Sequence, residues 1–236
     1  MPKSIKAPPA AVASRLTVAM PAPKCELDHH NAWQLLMATI LSAQSTDKTI
    51  NRITPALFAR YPDAHALAQA PQEDVEELVK ASGFFRNKAK AIRAASAVLV
   101  EKHGGQVPQD MDALQECPGV ARKTANMVLG TVFRLPTGMV VDTHVGRVAR
   151  RLGLTTQEDA GKVEADLCAA FPKEQWVDMG HRLVLHGRYM CVAKKPQCAR
   201  CPLEEICPSS EAKAGEGPWE DRATLEGALV ARRGES

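Results

Sequence analysis

From Asn31 the apolar residues Trp33, Leu36, Met37, Ile40 and Leu41 recur at three- and four-residue spacing, the period of a helix that buries one face. The run ends in LSAQSTD, where Ser45 or Thr46 can cap the next helix and Asp47 suits its first turn. Short apolar stripes such as Val75, Leu78 and Val79 follow, punctuated by Pro62, Pro71, Gly83 and the pair Gly104 and Gly105. The pattern predicts about six helices between Asn31 and Leu135, and no alternating strand pattern competes with them. The loop Ala81 to Lys88, ASGFFRNK, sets two adjacent phenylalanines beside Arg86 and Lys88; one phenylalanine of such a pair usually caps a core.

In ECPGVARKTA, Glu116 to Ala125, Pro118 and Gly119 stop one helix, the backbone turns, and a new helix starts at about Arg122 with Lys123 in its first turn. This is a hairpin between helices. Gly119, Val120 and Ala121 are expected to leave backbone N–H groups unpaired at the positive end of that helix, a seat for a phosphate. After Pro136, Thr137 and Gly138, VVDTH leads into another helix that Asp142 can cap.

The ends of the chain read differently. Residues 1–24 carry five prolines, many alanines and no acidic residue, which predicts a flexible basic arm with at most a short helix near Ala10 to Ala19. Arg15 interrupts its only apolar run, so no secretory signal is expected. Residues 212–236 read as a flexible tail. No stretch approaches the about 18 apolar residues of a membrane span. With 236 residues, 45% hydrophobic but 4% aromatic, the chain reads as soluble and helix-rich, its core filled by Ala, Leu and Val. A net charge of +3 does not identify a nucleic-acid binder. Its distribution is more suggestive: Arg182 to Arg200 holds five Lys or Arg and no acid, and Arg147, Arg150 and Arg151 cluster after Asp142. Read alone, such runs are solvated faces.

Two groups of residues carry chemistry. An amine attacks carbon only when unprotonated. The helix end, Arg122 and partial burial would all favour the free amine at Lys123; the alternative is a solvated lysine that touches phosphate. Cys191, Cys198, Cys201 and Cys207 are spaced Cys-x6-Cys-x2-Cys-x5-Cys, which without a secretion signal argues for a metal site rather than disulfides. Structural zinc is the generic reading. Cys25, Cys117 and Cys168 are scattered, as structural or free thiols.

ECPGVARKTANMVLG followed by VVDTHVGRVARRLG resembles the helix-hairpin-helix DNA glycosylases, and within them the endonuclease III branch, which carries an iron–sulfur cluster. LSAQSTD and the cysteine loop with its preceding LHGRYMC fall in the same family order over residues about 25 to 207. The resemblance implies an all-α, two-lobed fold: a helical barrel over 25–135 containing the hairpin, and a cluster domain over 136–211 that the N-terminal arm joins. It implies Lys123 as the nucleophile and Asp142 as the acid essential for base loss. A 4Fe-4S cluster on Cys191, Cys198, Cys201 and Cys207 is implied in place of zinc. Gln44 would fill the gap left by a flipped nucleotide, and Phe84 would take the place of a wedge that is commonly leucine. Gly119, Val120, Ala121, Lys194, Lys195 and Arg200 would meet phosphates. The implied activity is that of a bifunctional DNA glycosylase and AP lyase on duplex DNA with oxidised pyrimidines or abasic sites, acting as a monomer near the bacterial nucleoid, away from membranes. A monofunctional adenine-mismatch glycosylase would lack the hairpin lysine; a DNA-binding protein without catalysis would not need both catalytic positions filled. Two residues depart from the family pattern: Cys117 stands where leucine is usual, and Ala121 replaces the second hairpin glycine, where a positive φ would strain alanine.

Overall fold

The computed structural model describes residues 6–212 and 218–222. Residues 1–5 of the expected arm, and 213–217 and 223–236 of the expected tail, lie outside the described residues. Eleven α-helices run in order among the described residues: α1 Pro9–Ala19, α2 Ala32–Leu41, α3 Asp47–Arg60, α4 Ala64–Gln69, α5 Gln72–Val79, α6 Phe85–His103, α7 Met111–Gln115, α8 Arg122–Phe133, α9 Thr143–Arg151, α10 Ala160–Ala170 and α11 Trp176–Tyr189. The described residues contain no strand, so the fold is all-α. None of the described helices is long and apolar enough to cross a membrane. Contacts divide the chain into one unit over Cys25–Thr137 and another made of 1–24 and 138–236.

In the unit Cys25–Thr137, α2 is the centre. Eight of its ten residues are buried, Trp33 through Leu41 with Gln34 excepted, rather than the single face expected from its spacing. The reason is compositional: AWQLLMATIL has two polar residues, and a helix apolar all round is a buried helix. Thr39 Oγ1 returns to Leu35 O at 2.7 Å, and Trp33 Nε1 donates to Ser96 Oγ of α6 at 3.3 Å. Around α2, the core gathers Ile50, Leu57, Leu67, Ile92, Leu99, Leu114 and Leu129. Seven helices fill the stretch where about six were expected, because the stretch between Arg60 and Lys80 divides at Pro71 into α4 and α5. Thr46 caps α3 through Thr49 N, with Asp47 in the first turn, as the sequence suggests.

The second unit is built on α9, α10 and α11, whose Val145, Val148, Val163, Leu167, Met179 and Leu183 share one core with Val12 and Leu16 of α1. The N-terminal arm carries the short helix expected near Ala10 to Ala19, and that helix is packed rather than loose. Val12, Leu16 and Ala19 give α1 one buried stripe, Ala7 N donates to Leu152 O at 2.8 Å, and Arg182 of α11 donates to Met20 O and Pro21 O. A short apolar stripe with a partner orders a segment whose composition alone would not. α11 passes close against α9: a Cβ on Gly187 would lie 2.8 Å from His144 Cβ and 3.1 Å from its carbonyl oxygen. Only glycine fits there. Residues 218–222 of the expected tail are also placed, with Arg222 buried.

Candidate functional site

The hairpin between α7 and α8 is held from beneath. Cys117 and Val120 are buried, so the usual leucine position is filled by another apolar side chain. Gly119 takes φ +82°, and a Cβ there would come within 3.2 Å of Ile40 and 3.3 Å of Ala91; both the backbone and the space demand glycine. Ala121 has φ −93° and ψ 170°. The position is extended backbone, so alanine costs nothing there. Val120 differs from expectation: its N–H closes the turn on Cys117 O at 3.1 Å and is not available to a phosphate. α8 then starts without a side-chain cap, which leaves its first-turn amides to an outside acceptor. Lys123 lies exposed on that turn, without the partial burial expected for it.

Asp142 is the N-cap of α9. Its Oδ1 accepts from Val145 N at 2.8 Å, which fixes the carboxylate's direction. Lys123 lies in the unit Cys25–Thr137 and Asp142 in the other.

Three residues expected to meet DNA share a backbone trait. Gln44, Phe84 and Lys195 have φ of 53°, 46° and 54°, among only four non-glycine residues in this region among those described. Left-handed backbone at non-glycine residues is strained and concentrates at functional sites. Phe84 is also 68% exposed, whereas Phe85 is half-buried against the core with Arg86 stacked over it at 5.5 Å. The core cap expected of one phenylalanine is thus Phe85. Lys88 departs from the expected loop surface: it is 7% exposed and donates to Ser82 O at 2.6 Å, and burial lowers its pKa. Lys194, Lys195 and Arg200 are exposed.

No disulfide joins the seven cysteines. Cys191, Cys198, Cys201 and Cys207 instead line one cavity of about 410 Å³, open in part to solvent, with Arg151 and His186 in its wall. Among the described residues no three His, Cys, Asp or Glu side chains stand as ligands for one metal ion. The thiols face a common space rather than a common point. Burial pushes the Cys201 thiol up and His186 down to about 4. His186 Nδ1 is buried without a partner, while Nε2 lies 3.7 Å from Cys201 Sγ.

Of the arginines after Asp142, Arg150 is exposed, as a solvated face requires, but Arg147 and Arg151 are not part of one. Arg147 donates to Gly187 O at 2.7 Å and Cys191 O at 3.2 Å. Arg151 donates to Val192 O at 2.8 Å, Ala193 O at 3.0 Å and Cys191 Sγ at 3.3 Å. They bind the start of the cysteine loop to the C-terminal end of α11, where orphaned carbonyls accept cations. The i,i+4 spacing of Arg147 and Arg151 places them on one helix face, the one signal in the sequence that they work together.

A family model, HhH-GPD superfamily base excision DNA repair protein, matches residues 37–173. Endonuclease III of Synechocystis sp. is 50% identical over 192 residues, covering 81% of this chain and 88% of that protein. Endonuclease III of Escherichia coli K12 is 40% identical over 200 residues, covering 85% and 94%. Among solved structures, a trapped endonuclease III–DNA covalent intermediate superposes with TM-score 0.80 at 40% identity, covering 84% of this chain and 93% of that one. A thermostable thymine-DNA glycosylase superposes at TM-score 0.76 and 20% identity over 86% and 96%, a likeness of fold. With more than half the chain inside one family model and relatives matched along most of their length, the chain belongs to the HhH-GPD superfamily of base excision DNA repair proteins, in its endonuclease III family.

Proposed function

We propose that this protein is a bifunctional DNA glycosylase and AP lyase of base excision repair that removes oxidised pyrimidines from duplex DNA. The observation that carries the reading is Lys123, exposed on the first turn of α8 after a tightly packed hairpin, in a chain similar to an endonuclease III trapped covalently on DNA. The uncapped start of α8 receives a backbone phosphate. Phe84 is the wedge that unstacks bases opposite the lesion, and Gln44 enters the gap left by the flipped nucleotide and offers its amide to the orphaned base.

With the damaged nucleotide flipped out, Lys123 Nζ attacks C1′ as a free amine, and the glycosidic bond breaks with its electron pair leaving on the base. The sugar ring opens, O4′ takes a proton, and a Schiff base joins Nζ to C1′. Loss of a C2′ proton then expels the 3′ phosphate by β-elimination, and water hydrolyses the imine to free the lysine. Asp142, its carboxylate held by Val145 N, stabilises positive charge growing on the sugar and carries the protons.

The four cysteines line one cavity without standing as ligands of a single ion, and we assign Cys191, Cys198, Cys201 and Cys207 as thiolate ligands of a 4Fe-4S cluster. Such a cluster would staple a loop that has little core of its own, so that Lys194, Lys195 and Arg200 meet phosphates. A monomer acting in the bacterial cytoplasm at the nucleoid fits this chemistry.

The test is incubation with a duplex bearing one thymine glycol, with and without borohydride. Wild type is expected to nick the strand and to be trapped on it, and Lys123→Gln to do neither. Base release without a trapped adduct would place the protein with monofunctional glycosylases, and trapping by Lys123→Gln would remove Lys123 as the nucleophile.

A further inference from the structure

The second half of the cysteine loop is gripped by side chains from both ends of the chain. Arg222 is 3% exposed at its side chain. It donates to Cys201 O at 3.3 Å and to Glu205 Oε1 at 3.3 Å, and it pairs with Glu204 Oε2 at 3.5 Å. Glu204 is 6% exposed, and its other oxygen accepts from Ser210 Oγ at 3.0 Å. From α1, Arg15 donates to Pro202 O at 3.0 Å and to Glu205 Oε2 at 3.0 Å, while its guanidinium stacks on the Trp219 ring at 4.8 Å. Glu205 thus bridges the two arginines, one oxygen to each. Consecutive carbonyls, of Cys201 and Pro202, are capped by guanidinium groups lying more than 200 residues apart in sequence.

We propose that Arg15, Trp219 and Arg222 form a clasp that holds the Cys201–Cys207 part of the loop in the conformation that binds the cluster, so that cluster retention depends on the C-terminal segment. The proposal rests on the iron–sulfur reading above. A buried guanidinium–carboxylate group returns little net stability once its desolvation is counted, but it fixes one geometry, and the geometry fixed here is that of two short turns, Cys198–Arg200 and Glu204–Ile206, which end at Cys201 and Cys207. Arg147 and Arg151 already secure the first ligand, Cys191, from within the family core. Arg15, Trp219 and Arg222, like the cysteine loop they touch, lie outside the matched span 37–173, so the second half of the loop is secured by residues beyond the matched span. These three are positioning residues: they touch the loop and not the substrate.

The test loads wild type, Arg222→Ala, Arg222→Lys and Trp219→Ala with iron and follows loss of the cluster's visible absorbance to a chelator in air, beside thermal melting of each protein. Arg222→Ala, which strands the buried Glu204 carboxylate, is expected to melt lower and to release iron at least about tenfold faster, whereas Arg222→Lys and Trp219→Ala are expected to release it faster than wild type while melting within a few degrees of it. Release at the wild-type rate from all three loaded variants would overturn the clasp alone. Faster release only in variants whose melting falls in proportion would assign these residues to general stability and overturn it also. A wild type that takes up no iron would overturn the cluster reading itself.

Discussion

At the scale of single residues, the most telling observation is strain. Phe84 combines a large exposed ring with φ 46°, and Lys88, buried one turn on, ties the preceding Ser82 carbonyl down. A left-handed phenylalanine costs about 1–2 kcal/mol against glycine in that backbone, partly returned by glycine's freer unfolded chain. Phe84→Gly is therefore expected to raise stability by about 0.5–1 kcal/mol in denaturant unfolding while lowering base release from a lesion duplex. A loss of both would mean that the ring packs for stability instead. The sequence displays the pair Phe84 and Phe85 but not which ring turns inward, because that choice is made by the positive φ at Gly83 and Phe84. Ala121 teaches the converse: the departure from glycine matters only if the turn needs a positive φ, and the positive φ sits at Gly119.

At the scale of elements, the hydrophobic period and the turn residues anticipate about six of the seven helices between Asn31 and Leu135, the caps Thr46 and Asp142 are visible as residue types at the right places, and α10 and α11 carry no signal of that kind. What the period misjudged was environment. The apolar spacing of α2 fits one buried face, yet its lack of polar residues puts it at the centre. The composition around α1 predicts a loose arm, since its stripe is short and its partner, α11, lies more than 150 residues away. Arg147 and Arg151 look like part of a surface run because nothing local reveals carbonyls that arrive from Cys191 to Ala193. The α9–α11 contact supplies the sharpest test at this scale. Gly187→Ala places a Cβ against His144 backbone and side chain, an overpacking that costs about 1–3 kcal/mol. It is expected to lower the melting temperature, with iron uptake impaired because Arg147 and Arg151 lose their register with the loop. Unchanged melting would show that α9 has room to retreat.

At the scale of the whole molecule, two separate cores account for most of the buried apolar side chains, and only one contains the cysteine loop, through Cys201 and Leu203. Removing the proposed cluster is therefore expected to be felt unequally. In hydrogen exchange after chelation, amides of residues 138–212 and of α1 should lose protection, while those of α2, α6 and α8 keep theirs; uniform loss would show one cooperative unit. The motifs announced the family because chemistry fixes a few residue types at fixed spacing, whereas the assembly of the second unit from both ends of the chain leaves no local mark. That discontinuity sets an order of synthesis. α1 is made before Cys25–Thr137, whereas its core partners on α9 to α11 are made after that stretch. Cys191, Cys198, Cys201 and Cys207 follow α11, with Trp219 and Arg222 later still. A helix made ahead of the other unit therefore waits for residues made behind it, Trp219 over Arg15 included, before its surroundings are complete.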